Sequence, residues 1–354
     1  LEKAYIASKG AITEKTLAPW SSKPAGILDR FYKDHGYFPS LGKGETETVP
    51  EVHGWERRQP VAVTLGTVYD EWCLGMIADH LGKKEEAEYF TQRSLNYQKI
   101  FHPETKFFHP KDTFGIFMEK LDYRFPPAVG GRDAYDENTG YVYRFNVQHN
   151  IADLIKMMGG KKSFINALED MYNTPLGQGR PDFYHVYADH TGNVGQYSMG
   201  NEPAMHIPYL YNYAGEPWRT QKRVRNLLDQ WFRNDLMGIP GDEDGGGLTA
   251  FVVFSQIGFY PMTPGLPMYV IGSPVFETAT IDLGNNKTFA VVSKNYSPEN
   301  KYIQSAKLNG KEWNKSWFSH EELMKGGKLE LVMGDRPNKQ WASSDTSIPP
   351  SFRF

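Results

Sequence analysis

The run Thr67-Val68-Tyr69-Asp70-Glu71-Trp72-Cys73-Leu74-Gly75-Met76-Ile77-Ala78-Asp79-His80-Leu81-Gly82 decides the fold. Val68, Trp72, Met76, Ile77 and Leu81 fall on one helical face, and Gly82 ends the helix. A second helix is expected over 84–101, with Tyr89, Phe90, Leu95 and Tyr97 among its apolar residues. The two make a helical hairpin closed by the short Gly82-Lys83-Lys84 turn. Working outward, the same periodicity predicts helices over 149–158, 162–172, 203–213, 218–235 and 247–257. In the 218–235 helix, Leu227, Leu228, Trp231 and Phe232 form the apolar face, and Thr220 to Arg225 read as exposed. No fixed-period repeat appears, so the helix pairs fit a closed ring of hairpins better than a solenoid.

After Pro264 the pattern turns to β, with strands expected over 268–271, 278–283, 288–292, 301–308 and 328–332. Asn285-Asn286 and Asn309-Gly310 are turn signals between them, the second a strong hairpin cue. The chain therefore divides into a mainly α region, 1–264, and a β-rich region, 265–354. The segment 102–136 is a long aromatic loop punctuated by Pro and Gly, of a kind that is usually functional. The end of the chain, 337–354, lacks periodicity and is expected to wrap over another surface.

Composition narrows the function classes. A formal net charge of -3 over 354 residues, with no basic stripe, argues against nucleic acid and anionic membrane as partners. No apolar run is long enough to span a bilayer as a helix. The single cysteine, Cys73, excludes an intrachain disulfide. The 21 Tyr, 21 Phe and 8 Trp suit either a large aromatic core or stacking platforms for sugar rings. The chain opens Leu1-Glu2-Lys3-Ala4 as if inside a helix, which reads as a fragment or processed form.

Three segments carry candidate chemistry: Tyr135-Asp136-Glu137-Asn138-Thr139-Gly140-Tyr141-Val142-Tyr143, running to Gln148-His149-Asn150; Gly195-Gln196-Tyr197-Ser198-Met199-Gly200-Asn201-Glu202-Pro203; and Gly238-Ile239-Pro240-Gly241-Asp242-Glu243-Asp244-Gly245, continuing to Gly258-Phe259-Tyr260-Pro261. Each places carboxylates or amides on Gly- and Pro-shaped turns, where the backbone can approach a ligand closely. Singly, each acid has a structural reading. Glu137 suits a cap, Glu202 suits a helix start before Pro203, and Asp242 and Asp244 suit N-terminal charge ahead of a helix. An EF-hand is a poor match, since counting from Asp242 puts Val253 where the bidentate Glu belongs. His149, His185, His190 and His206 lack zinc spacing, and no P-loop or dinucleotide fingerprint occurs.

Together these segments closely resemble the calcium-dependent α-mannosidases of glycoside hydrolase family 92. The resemblance runs from Lys15-Thr16-Leu17-Ala18-Pro19-Trp20, through Arg58-Gln59-Pro60-Val61-Ala62-Val63-Thr64-Leu65-Gly66-Thr67, to Gly272-Ser273-Pro274. It is most specific between Gly200 and Pro264, including Thr220-Gln221. It implies an exo-acting hydrolase that removes terminal α-mannose from mannosides or N-glycans with inversion. The implied architecture is an (α/α)6-type barrel, partial in this chain, with C-terminal β-strands packing as or onto a β-sandwich. By motif the general acid falls on Glu137, although many members carry Glu-Gly-Asn where this chain has Glu137-Asn138-Thr139. The catalytic base falls on the Asp242/Asp244 pair, with Asp244 favoured and Asp242 holding it. Ca2+ is the implied cofactor, with Asn201 and Glu202 as ligands and Gln196 as a weaker third.

Inverting hydrolysis needs a protonated carboxyl at the leaving oxygen and an ionised one behind a water, roughly 6.5–9.5 Å apart. The aromatic setting of 135–143 is drier than a turn at a helix N-terminus, where the dipole favours the charged form. Acceptor-side contacts are expected from 182–193, including Asp189 and His190. Asp70 and Trp72 are further candidates for sugar contact, Trp72 fitting a helix core equally well. The implied location is periplasmic or extracellular. The family's N-terminal part is missing, so either a second chain supplies it or the chain is a fragment. Two other readings stand beside hydrolysis: a phosphorolytic enzyme of the wider α/α-barrel group, and a calcium-dependent carbohydrate-binding homologue without turnover.

Overall fold

The computed structural model describes residues 1–119, 121–124, 133–186, 191–241 and 243–351 of the chain. Its α-helices in chain order are α1 (Glu2–Thr13), α2 (Ile27–His35), α3 (Pro60–His80), α4 (Lys84–Arg93), α5 (Gly140–Tyr143), α6 (Ile151–Met157), α7 (Lys161–Asn173), α8 (Arg180–Val186), α9 (Pro217–Trp231), α10 (Gly247–Ile257) and α11 (His320–Met324). The α3–α4 hairpin forms as expected, but α3 starts at Pro60 rather than Thr67. Proline at the first helical position has its φ preset and needs no amide partner there. Gly75 lets the two helices meet: a Cβ there would stand 2.8 Å from Thr91 Oγ1 and 3.3 Å from the Ala87 carbonyl. The expected 84–101 helix stops at Arg93 and continues as a 3₁₀ turn, Asn96–Ile100.

Two expectations of the α region need correction. The 203–213 stretch is not an α-helix but two 3₁₀ pieces, Glu202–Ala204 and Ile207–Asn212. Pro203 and Pro208 each lack an amide hydrogen, so a continuous α ladder would lose bonds there. Thr220, Gln221 and Arg225 are not exposed on α9 but buried. The Thr220 hydroxyl donates to the Pro208 carbonyl (2.9 Å), and Gln221 Oε1 accepts the Ile303 amide (3.0 Å). Arg225 donates to the Pro274 and Pro298 carbonyls at 3.0 and 3.1 Å. Gln221 and Arg225 are thus the seam between the helices and the β region, while Thr220 ties α9 to the preceding 3₁₀ turn.

The strands are β1 (Asn193–Val194), β2 (Tyr197–Ser198), β3 (Phe259–Tyr260), β4 (Met268–Ile271), β5 (Thr278–Gly284), β6 (Lys287–Lys294), β7 (Tyr302–Leu308), β8 (Lys311–Glu312), β9 (Trp317–Ser319) and β10 (Gly327–Gly334). A five-stranded sheet has the order β5-β6-β10-β7-β8, with β6 and β10 parallel, and a second sheet runs β3-β4-β9. Asn285-Asn286 and Asn309-Gly310 turn the β5–β6 and β7–β8 hairpins, all four residues at positive φ as a type I′ turn requires.

Phe259, Ile271 and Phe318 from the smaller sheet share one apolar core with Phe289, Val291, Leu329 and Leu331 from the larger. A separate, larger core fills the helical part, from Val61 and Val68 through Leu154, Leu168, Tyr209 and Phe251. The end of the chain does wrap back. Trp341 packs on the β core, and Ser351 Oγ accepts the Ala152 amide of α6 (3.0 Å).

Candidate active site

Glu137 lies on a tightly held segment. The Val61 amide of α3 donates to the Ala134 carbonyl (3.0 Å), and the buried Tyr135 hydroxyl donates to the Phe108 carbonyl (2.9 Å). Asn138 and Thr139 are buried, and α5 begins directly after them. Tyr143, on α5, stacks on Tyr135 with ring centres 5.4 Å apart. Its hydroxyl meets the backbone of Asp136 and Glu137. Burial first, then the charges of Asp136 and Glu137, push that phenol well above its usual range, so it stays neutral.

The second segment is brought against this one by a hairpin. β1 pairs with β2, and the Gly200 amide closes onto the Thr191 carbonyl (3.0 Å). Asn201, next in sequence, is almost wholly buried. Its Nδ2 donates to Glu137 Oε2 (3.1 Å), and its Oδ1 accepts Asn138 Nδ2 (2.8 Å). The acid candidate and the leading metal-ligand candidate are therefore hydrogen-bonded to one another. Glu202 opens the following 3₁₀ turn. Gln196 does not join them. It occupies the turn at the far end of the hairpin, with its amide on Met171 and its Nε2 on the Pro175 carbonyl (2.7 Å).

The third segment is held by glycine contacts. A Cβ on Gly241 would stand 2.4 Å from the Gly200 carbonyl oxygen, and one on Gly200 would be 3.1 Å from Gly241 Cα. Gly241 has φ 70, a conformation that also favours glycine. One turn on, Gly247 leaves room for Glu202 Cγ, 3.4 Å from where a Cβ would be. The middle acid of the Asp242-Glu243-Asp244 triplet is spoken for: Glu243 Oε2 accepts the Thr249 amide (2.9 Å) and Oε1 the Thr249 hydroxyl (3.1 Å). Asp244 begins a 3₁₀ turn, Asp244–Gly246, leading into α10. Its side chain, and Asp242, Asp189 and His190, lie outside the described residues.

The remaining candidates stand on α3. Asp70 is exposed. Trp72 is fully buried, its ring 5.5 Å from that of Tyr69 and 5.9 Å from that of His149. Of the two roles open to Trp72 in the sequence, it fills the core one. Sequence reading missed Asn138, seen only as a departure from a pattern, and Tyr143. It also missed the pairing of Gly200 with Gly241, although glycines beside both acidic turns signalled a close approach of backbone.

The model of the glycosyl hydrolase family 92 catalytic domain matches residues 1–335. A family GH92 α-mannosidase of Bacteroides thetaiotaomicron, solved with mannoimidazole, superposes with a TM-score of 0.84 at 30% identity, over 99% of this chain and 43% of its own. A GH92 inverting mannosidase of Bacteroides thetaiotaomicron VPI-5482 gives a TM-score of 0.82 at 33% identity, over 99% and 45%. A curated relative from Arthroderma benhamiae, named an uncharacterized secreted glycosidase, is 30% identical over 98% of this chain and 44% of itself. The chain thus spans less than half the length of the relatives it matches.

Proposed function

The chain belongs to glycosyl hydrolase family 92, and on that premise we propose that it carries the catalytic centre of an exo-acting, inverting α-mannosidase. The observation that carries this reading is the convergence of three segments. Asn201 hydrogen-bonds Glu137, while its neighbour Gly200 touches Gly241 at the start of the Asp242-Glu243-Asp244 turn. Similarity to a family member solved with mannoimidazole, and to one described as inverting, supports the substrate and the stereochemistry.

In this reading Glu137 is the general acid. The Asn201 N–H on Oε2 marks that oxygen as the acceptor, so the transferable proton belongs on Oε1, toward the leaving oxygen. Protonation there lets the glycosidic C–O bond break without expelling an alkoxide. Asp244, with Asp242, takes the proton from the water that attacks the anomeric carbon on the opposite face. Occupation of Glu243 by Thr249 leaves the flanking aspartates for that task.

The donor set suits calcium in kind. Among the described residues no three His, Cys, Asp or Glu side chains cluster as a metal site. The hard oxygen held beside Glu137 is that of Asn201, and Glu202, next in sequence, is the carboxylate candidate to join it. Asn201 Oδ1 has two lone pairs and gives one to Asn138, so it retains one for a cation. Bound there with sugar hydroxyls and water completing its shell, Ca2+ would supply the positive charge that grips adjacent hydroxyls of the mannose ring. We read the helices as part of an (α/α)6-type ring and the two sheets as a sandwich against it. The substrates are α-mannoside glycans, including N-glycans. The secreted relative favours a periplasmic or extracellular location.

The test is hydrolysis of α-mannosides by the wild type and Glu137→Gln, with the product anomer followed by NMR. The wild type should release β-mannose from α-mannosides and lose activity on exhaustive chelation, regaining it with calcium. Glu137→Gln should lose natural linkages but retain more activity when the leaving group is acidic and needs no proton. Equal losses on both substrates would remove Glu137 as the acid, and retained α-configuration in the product would remove inversion.

A further inference from the structure

We propose that a cavity between loop 40–58 and segment 112–119 binds the part of the substrate beyond the scissile bond, a neutral oligosaccharide of more than one ring. The proposal rests on the assignment of Glu137 as general acid and deepens it by naming where the leaving group goes. The cavity encloses about 940 Å³ and has Asp133 in its wall, near the upper end of what small-ligand pockets provide. Asp133 precedes Glu137 by four residues, which bounds the separation of their Cα atoms at roughly 14 Å. A general acid stands at the leaving oxygen, and we take the cavity walled by the start of its own segment as the place that receives the departing glycan.

The lining chemistry fits a polyol and not an anion. Each described Lys and Arg in the wall is paired: Arg58 with Glu47 (2.5 Å), Arg57 with Asp133 (2.6 Å), and Lys43 with Glu119 (3.6 Å). No described cation of the wall is left over for a phosphate or carboxylate. Val52, Ile116 and Phe117 add apolar lining, against which the C–H face of a sugar ring would pack, while the Arg57–Asp133 pair offers its remaining donors and acceptors to hydroxyls. His53 accepts the amides of Trp55 and Glu56 on Nδ1 (3.3 and 3.2 Å), which places the ring proton on Nε2.

The wall is also built in advance. Arg58 is buried and clamps the loop, gripping Glu47 through Nε and Nη2 and the carbonyls of Pro39 and Ser40 through Nη1. Arg57 and Gln59 hold left-handed backbone, φ 57 and φ 45. Such strain costs on the order of 1–3 kcal/mol per residue and persists where the surroundings over-determine it. Here it aims the Arg57 guanidinium at Asp133.

The test uses the full chain with two variants, Arg57→Gly and Ile116→Ala. Glycine suits the left-handed backbone at position 57, so that change removes the guanidinium without adding strain. With α-linked mannotriose of each linkage as substrate, kcat/KM should fall about tenfold in each variant, chiefly through KM. An aryl α-mannoside, whose leaving group is one ring, should lose far less. Equal losses on the two substrates, or none on mannotriose, would overturn the proposal. Calorimetry of mannotriose binding in the Glu137→Gln background reads the cavity apart from turnover, with an expected tenfold rise in Kd for each variant. Unchanged Kd there would also overturn it. A wild type inactive on every α-mannoside, whose mannotriose binding still needs Arg57, would end the mannosidase reading and keep the cavity as a glycan site.

Discussion

Asn138 shows how one side chain can convert a sequence departure into a local device. It is fully buried, and its amide nitrogen fixes Asn201, which in turn fixes Glu137. Residues that orient a site through another residue commonly change activity or metal affinity by about 10–100-fold when lost. Asn138→Asp keeps the volume and replaces the donor with an acceptor facing Asn201 Oδ1. We expect kcat to fall within that range and the calcium requirement to rise, measured by initial rates across a calcium titration. Retention of the wild-type rate and calcium dependence would show that the Asn138–Asn201 bond positions nothing. Asn138→Ala separates the causes, since it removes the donor without adding the repulsion and should lose less.

At the scale of elements, the active-site turns are fitted to each other by missing side chains. Gly241 packs against the Gly200 carbonyl so closely that a methyl group would stand 2.4 Å from that oxygen. Gly241→Ala must therefore move the turn that carries Asp242 and Asp244 away from Asn201. A displacement near 1 Å in a catalytic group can cost about 100-fold in rate. The position is exposed and lies outside both large cores, so the loss of stability should stay near the roughly 1–3 kcal/mol that alanine at positive φ costs, while kcat collapses. A fall in melting temperature matched by a proportionate loss of folded protein, with kcat per folded molecule preserved, would refute the positional role.

The same scale shows what the sequence made legible. The α3–α4 hairpin, α7, α10 and the strands after Pro264 were readable because periodicity and turn chemistry are local. The limits of α10 and β4 match the expectation to the residue. The 3₁₀ pieces at 202–212 were not, because helical spacing of apolar residues does not distinguish a ladder interrupted by Pro203 and Pro208 from a continuous one. The buried Thr220, Gln221 and Arg225 were not readable either, since their partners lie in the β region 49 to 82 residues away or on the Pro208 turn. Of the site, the acidic and glycine-rich turns stood out in the sequence. Their mutual contacts are tertiary and did not.

At the scale of the molecule, two buried histidines tie distant segments of the helical part and shape its response to acid. His149 Nε2 donates to the Ser94 carbonyl (3.0 Å) and His206 Nε2 to the Phe145 carbonyl (3.0 Å), each joining segments more than 50 residues apart. Burial pushes both imidazoles down to about 4 from the ordinary 6.5, the backbone bond opposing it only in part. The folded chain therefore holds them neutral while the unfolded chain takes up protons as pH falls below about 6.5. Between there and about pH 4 the unfolded state binds more protons, so stability declines with falling pH and is fully present above the window. Each group contributes on the order of 3 kcal/mol across it. Paired carboxylates add their own acid loss, so the histidine share must be read as a difference. His206→Gln keeps an N–H for the Phe145 carbonyl and removes the titration. Urea midpoints at pH 7 and pH 4.5 should fall more steeply in the wild type than in this variant. Parallel declines in the two proteins would place the acid sensitivity elsewhere, whereas a flattened slope in His206→Gln would trace it to an imidazole that the core refuses to charge.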